Sequence, residues 1–276
     1  MRRPGPTRRV RVVELDGTSS RHREDRLATE EPLELRVDAP GRPTERFGIT
    51  MRTPGHDFEL AAGLLFAEGV YDQRDDIRSI AYCTDADLSE DEEFNVVTVH
   101  LSTEPRTTWQ ARTVSSACGV CGKQSASDVA AVARTADDTV RVRPEVIATL
   151  PDRLRESQRV FAATGGLHAA GLFGTDGSPI VVREDVGRHN AVDKAMGHCL
   201  LNGVELTGAV LCVSGRVAFE IVQKATAAGV SIIVAVGAPT SLAVQTAESA
   251  GCAVVGFVRD ERMVVYSHQH RVEECP

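Results

Sequence analysis

Two stretches of the chain alternate apolar and polar residues with a period of two, "LELRV" at 33–37 and "RFGITMR" at 46–52. That period turns one face of each toward a core and the other toward water, so both read as half-buried strands. "TPGHDFELAAGLLFAEG" follows as a turn and a helix, with Leu60, Leu64 and Leu65 on one stripe and Gly69 near its end. "IRSIAYC" and "FNVVTVHL" predict further strands around the acidic connection "DADLSEDEEF". Ahead of them, residues 1–26 are rich in Arg, Pro and Gly and then alternate in charge. They predict a poorly ordered extension with at most an edge strand at "VRVVEL".

From about residue 125 the pattern changes. "SASDVAAVARTA" and "PEVIATLPDRLRESQRVFAATGG" read as helices, the latter one or two, closed by Gly165 and Gly166. Apolar strands then alternate with amphipathic helices. "HAAGLF" and "PIVVRED" flank a hairpin turn at "TDG", and "RHNAVDKAMGHCLLNG" is helical. "GAVLCVS", "SIIVAVG", "CAVVGFV" and "RMVVYS" are strands, with helices "VAFEIVQKATAAG" and "SLAVQTAESAG" between them. Near-continuous apolar strands call for a sheet covered on both faces. The expected organisation is an extension over 1–26, a smaller strand-rich domain over 27–124, and an α/β sandwich over 125–276.

Composition narrows the classes. The 276 residues are 42% apolar and 25% charged, ordinary for a globular protein. A formal net charge of −8 argues against non-specific nucleic-acid binding as the main work. No apolar run approaches the roughly 20 residues that span a bilayer. "MRRPGPTRRVRV" lacks the apolar core of a secretory signal, so a cytoplasmic location and no membrane partner are expected.

The seven cysteines are widely spread, which argues against a disulfide framework. Cys199, Cys212 and Cys252 sit in apolar runs and read as core residues. Cys118 and Cys121, in "SSACGVCGK", lie instead among Gly and Ser beside Lys123. Lys123, Lys194 and Lys224 are the only lysines, and all fall in polar motifs. Three chemistries fit the cysteine pair. A closed zinc site needs two more ligands; "SHQHRVEEC" offers His268, His270 and Cys275 as a late complement at a non-standard spacing, and no metal is expected. A dithiol oxidoreductase would place the pair at a strand-to-helix junction, for which "TTWQARTVSSA" is a poor strand. A persulfide carrier needs an accessible thiol of lowered pKa, which the glycines and Lys123 permit.

Ligands of α/β sheets gather beyond the C-terminal ends of strands. Four such loops here are polar: "DVGRHNAVDK" with Asp185, Arg188 and His189; "SGR" with Ser214, Gly215 and Arg216; "APTS" with Thr240 and Ser241; and "RDER" after Val258. Singly, Ser214 and Ser241 read as helix caps and Asp185 as a turn residue. Together, hydroxyls, helix starts and Arg188, Arg216, Arg259 and Arg262 make a site for a large phosphate-bearing anion. Neither G-x-G-x-x-G after the first α/β strand nor G-x-x-x-x-G-K-[ST] is present, so the usual NAD and ATP loops are missing.

"SSACGVCGK", "GGLHAAGLF", "REDVGRHNAVDKAMG", "SGRVAFEIVQKA", "APTSLAV" and "GFVRDERMVVYS" together closely resemble the FdhD family, the formate dehydrogenase accessory sulfurtransferases. The likeness runs from about residue 30 to 267. It implies a cytidine-deaminase-like three-layer sandwich with a smaller domain, dimeric as a homodimer. It does not extend to deaminase chemistry, because H-x-E followed by P-C-x-x-C is absent. It implies that Cys118 and Cys121 receive persulfide sulfur from a cysteine desulfurase. The acceptor is the bis(molybdopterin guanine dinucleotide) molybdenum cofactor, before its insertion into the formate dehydrogenase apoprotein. Phe257, Val258, Arg259, Asp260, Glu261 and Arg262 correspond to a segment associated with cofactor binding. Guanine nucleotides are then expected as partial mimics. The alternative is a cofactor-binding chaperone that transfers no sulfur.

Overall fold

The structure, a computed structural model, describes residues 4–83, 94–109, 112–114 and 138–273. Expectations about Cys118, Cys121, Lys123, Cys275 and the helix over 125–136 lie outside the described residues.

β1 (Thr7–Asp16) and β2 (Ser19–Ala28) pair antiparallel in register from Thr7↔Ala28 to Asp16↔Ser19. Little order was expected here beyond one edge strand, but the charge alternation serves the hairpin. Arg21 and Arg23 pair with Glu14, and Arg9 with Glu24, across the strands. These exposed pairs add little each. The register is set by the turn, where Gly17 takes φ 57°, a conformation most residues avoid.

The two strands read from period-two segments and the two read after them lie in one five-stranded sheet, order β5-β6-β3-β4-β7, whose fifth member falls in the stretch read as a poor strand. Its members are β3 (Glu31–Asp38), β4 (Glu45–Arg52), β5 (Ile77–Tyr82), β6 (Val96–Leu101) and the short β7 (Arg112–Val114). β7 lies parallel to β4, with Val114 opposite Thr50. A second sheet of six strands runs β13-β12-β11-β10-β8-β9. It contains β8 (His168–Phe173), β9 (Pro179–Asp185), β10 (Val210–Val213), β11 (Ile232–Ala235), β12 (Ala253–Arg259) and β13 (Arg262–Ser267).

The six-stranded sheet is covered on both faces. Val210, Cys212, Ile232 and Val234 pack with Ile147, Leu150 and Leu154 of α2 (Pro144–Glu156). The intervening Leu211, Val213, Ile233 and Ala235 pack on the other side. That side is built from α4 (Arg188–Leu201), α5 (Phe219–Ala227) and α6 (Ser241–Ala250). A short helix, α3 (Arg159–Thr164), ends on Gly165 in the left-handed region. Among the described residues, no helix is long and apolar enough to cross a membrane.

α1 (Asp57–Ala67) joins the two sheets by lying against α4. The contact is backbone on backbone. A Cβ built on Gly63 would stand 1.9 Å from the carbonyl oxygen of Asp193, and one on Gly197 would stand 1.9 Å from that of Glu59. Ala61, Ala62, Ala191 and Ala195 keep the surroundings small and are fully buried. One hydrophobic cluster therefore runs without a break from Leu33 and Leu35 through this helix pair to Leu211 and Ile233.

Because the obstruction is backbone, no rotamer change relieves it. Gly63→Ala and Gly197→Ala are each expected to lower stability by about 3 kcal/mol or more, at the upper end of overpacking costs. A urea midpoint within experimental error of the parent, at unchanged slope, would refute the contact.

Candidate functional site

The parallel run of β10, β11 and β12 puts their C-terminal ends on one edge of the sheet. β8 runs antiparallel to β10 and β9 to β8, so His168 at the start of β8 and Asp185 at the end of β9 reach the same edge. A cleft of 760 Å³ opens there, facing the α2–α3 junction. Ser214, Val236, Val258, Arg259 and Asp260 line it from the sheet edge. Arg155, Gln158 and Phe161 line it from the helices. The volume lies within the roughly 300–1,000 Å³ of small-molecule sites.

The loops reach this edge only because their backbones pass close together. Gly237 N–H donates to Gly215 O at 3.3 Å, and Phe257 N–H to Gly237 O at 3.1 Å. A Cβ on Gly237 would stand 2.8 Å from Gly215 O. Phe257 itself sits in a bulge of β12, at φ 52° and 47% exposed. A large aromatic in the left-handed region is strained, and such strain collects at functional sites. Asp260, at φ 53°, makes the turn into β13.

Of the residues expected from sequence, Ser214, Val258, Arg259 and Asp260 line the cleft. Phe257, Glu261, Arg262, Arg216 and Ser241 are exposed outside its lining, and Gly215 lies behind it, near His168 and Arg188. Thr240 is the N-cap of α6, accepting from Ala243 N–H at 3.3 Å. Ser214 does not cap a helix: its Oγ accepts from Ala169 N–H at 2.9 Å, tying β10 to β8.

Asp185 is sealed inside. One oxygen accepts from Gly187 N–H at 2.8 Å and Asn190 Nδ2 at 3.0 Å. The other meets Thr53 N–H at 3.1 Å and Lys194 Nζ at 2.6 Å. Lys194 also donates to Thr53 O at 2.8 Å. The carboxylate thus holds the start of α4 to the segment after β4. Lys224 pairs with buried Asp193 at 2.7 Å. Burial pushes the Asp193 carboxyl up, against the pull of Lys224.

Beside this pair, His189 Nε2 stands 3.7 Å from Glu220 Oε2, bringing the first turns of α4 and α5 together. The His189 ring, outweighing burial, holds the Glu220 carboxyl below its usual range. Among the described residues, both His189 ring nitrogens, Arg188 Nε and Asp193 Oδ2 are enclosed without a hydrogen-bond partner. His168 is pushed down by burial and by the charges of Arg188 and His189, so its ring is neutral at pH 7.

Sequence reasoning missed Arg155, Gln158, Phe161 and His168. His168 was findable, since the start of an antiparallel strand shares an edge with the ends of its parallel neighbours. The α2–α3 junction carries no such signal. Among the described residues, no group of three or more His, Cys, Asp or Glu could hold a metal ion.

The architecture is shared with solved structures. A crystal structure from Desulfotalea psychrophila, given the provisional description of a formate dehydrogenase accessory protein, superposes with a TM-score of 0.75 at 24% identity, over 97% of this chain and 99% of that one. The chain belongs to the FdhD/NarQ family, whose sequence pattern matches residues 28–273. Relatives named sulfur carrier protein FdhD include one from Streptomyces avermitilis, 47% identical over 274 residues, spanning 96% of this chain and 95% of the relative. Another, from Mycobacterium tuberculosis, is 44% identical over 275 residues, spanning 96% and 97%.

Two outcomes follow from the site. Asp185→Asn strands the Lys194 ammonium in the interior, and should cost about 3–5 kcal/mol in urea unfolding. His168 is held neutral in the fold, so its contribution to stability is present above its ordinary pKa and lost as pH falls. His168→Asn should therefore flatten the fall in unfolding free energy between about pH 7 and pH 5. An unchanged slope would show that His168 does not sense that environment.

Proposed function

We propose that the protein is a sulfur carrier that loads sulfur for a molybdenum cofactor bound in the strand-end cleft. The observation that carries this reading is near-full-length likeness to relatives named sulfur carriers, in a chain that holds the C-x-x-C pair Cys118 and Cys121. The thiolate of Cys118 attacks the terminal sulfur of a cysteine desulfurase persulfide. The donor's S–S bond breaks, its cysteine leaves as thiolate, and the persulfide now stands on Cys118. No external oxidant or reductant is consumed. Cys121 assists by exchange or accepts the sulfur itself. β7 supports this role by bringing the chain to Val114, alongside Thr50, just ahead of the cysteine motif.

The acceptor, a substrate here, is bis(molybdopterin guanine dinucleotide) molybdenum on its way to apo formate dehydrogenase. The cleft suits one nucleotide-sized half of it: Arg259 supplies positive charge at the mouth, and Val236 and Val258 supply apolar wall. We place the work in the cytoplasm, in a homodimer.

Labelled sulfur tests the transfer. Cys118→Ala should abolish uptake from a desulfurase and leave formate dehydrogenase immature, and Cys121→Ala should impair both less. Full activity in the double variant would leave the protein a cofactor-binding chaperone. A zinc site would instead give about one metal per chain and a melting temperature that collapses with chelator. A carrier should be unmoved by chelator. In calorimetry GDP should bind more tightly than ADP, and Arg259→Ala should weaken GDP about fivefold or more, as loss of one charged contact.

A further inference from the structure

We propose that Gln158 is the residue through which the cleft reads the hydrogen-bonding edge of its ligand, a 2-amino-4-oxopyrimidine edge of the kind shared by guanine and pterin. The inference rests on the cofactor-binding reading above and adds to it the recognition residue.

Gln158 stands at the α2–α3 junction, and its backbone is already committed. Its N–H donates to Arg155 O at 3.1 Å, and its C=O accepts from Ala162 N–H at 2.9 Å. Its side chain makes no capping bond to α3. The residue is 5% exposed, yet its carboxamide has no hydrogen-bond partner among the described residues. It is not among the fully enclosed orphan atoms, and it lines the cleft. Its donor and acceptor are therefore left unused by the fold in a residue that lines the cleft, open to water or a ligand rather than enclosed.

The surroundings suit a flat heterocycle. Phe161, with Arg155 stacked 4.0 Å from its ring centroid, forms a planar helical wall. Val236 and Val258 face it from the sheet edge, and His168 adds one donor and one acceptor as a neutral ring. A carboxamide sets C=O beside NH₂. The 2-amino-4-oxopyrimidine sets ring N–H beside C=O, so the two close a pair of antiparallel hydrogen bonds. No water bonded to the amide can offer that fixed geometry.

Calorimetry on the full chain with GDP, 6-hydroxymethylpterin and ADP tests the assignment. Gln158→Met keeps the length and removes both polar atoms; it should weaken the recognised ligand about tenfold to hundredfold, as for loss of one bidentate pair. Its melting temperature should stay within a degree or two of the parent, since the side chain holds nothing in the fold. Gln158→Glu only accepts. It should keep GDP within severalfold, through ring N–H and NH₂, while widening the GDP-to-ADP preference, because adenine N1 needs a donor. That second variant carries the test if the first fails to fold. Loss of GDP alone, or of the pterin alone, names which half of the cofactor lies at Gln158; loss of both supports the shared edge. Parent-like affinities in both variants would overturn the role of Gln158 while leaving the cleft a cofactor site. A parent protein that binds none of the three would overturn the cleft reading and this inference with it.

Discussion

The contact of α1 with α4 governs the rest of the molecule. Where Gly63 meets Asp193 and Gly197 meets Glu59, no side chain separates the two helices, so their spacing and rotation are set by backbone alone. The five-stranded sheet rests on one of these helices and the six-stranded sheet on the other, and the core is continuous between them. Polar bonds at the rim hold the angle. Glu59 binds Arg183, His56 and His198. Burial, the largest single influence, raises its carboxyl, but those three together outweigh it and hold the group well below the usual carboxylate range. Arg52, fully buried, grips Asp57 through Nε at 3.0 Å and Nη2 at 3.2 Å, fixing the entry to α1.

The same seam positions the candidate site. Asp185 ends β9, opens the turn into α4 and binds Thr53 in the segment that follows β4, so the strand-end loops inherit the alignment of the two helices. Such buried ion pairs give little net stability against an apolar replacement, but they penalise every misaligned docking of the two parts. On the open side both walls of the cleft are mixed: Ser214, Arg259 and Asp260 stand with Val236 and Val258 at the strand ends, and Arg155 and Gln158 with Phe161 at the helical junction.

Much of this could be read from sequence, for reasons that differ by region. β3, β4 and the α/β alternation after residue 138 were plain because one face of each element is buried, and burial leaves a period. The loops at Ser214 and Arg259 followed from where parallel strands must end. Asp185 is different. Its polarity looked like a site feature, yet it serves the interior, because composition does not tell which carboxylate is enclosed. The β1–β2 hairpin was legible only as an edge strand for the opposite reason: none of its residues is buried and most are exposed, so its apolar period is weak. Gln158 lay in an aperiodic junction, and its importance depends on a carboxamide left unpaired by its own fold. The tight fit at Gly63 was invisible, since a glycine inside a helix reads as a weakness until its neighbour is known.

The core cysteines have a consequence for the fidelity of sulfur handling. Burial raises Cys199 to about 11 and Cys252 to about 12, and lifts Cys212 further still. At neutral pH the Cys199 thiolate is then only about one part in ten thousand, and thiol exchange proceeds through the thiolate. A protein that hands on a labile sulfur atom must keep it from migrating to its own thiols. Here the interior does this by insulation: three sulfurs are kept chemically silent by the packing that stabilises the sheet. Cys83 is the less shielded case, half-buried with Arg36 Nη1 at 3.6 Å from its sulfur. If cargo strays among the described cysteines, that is where it would be found.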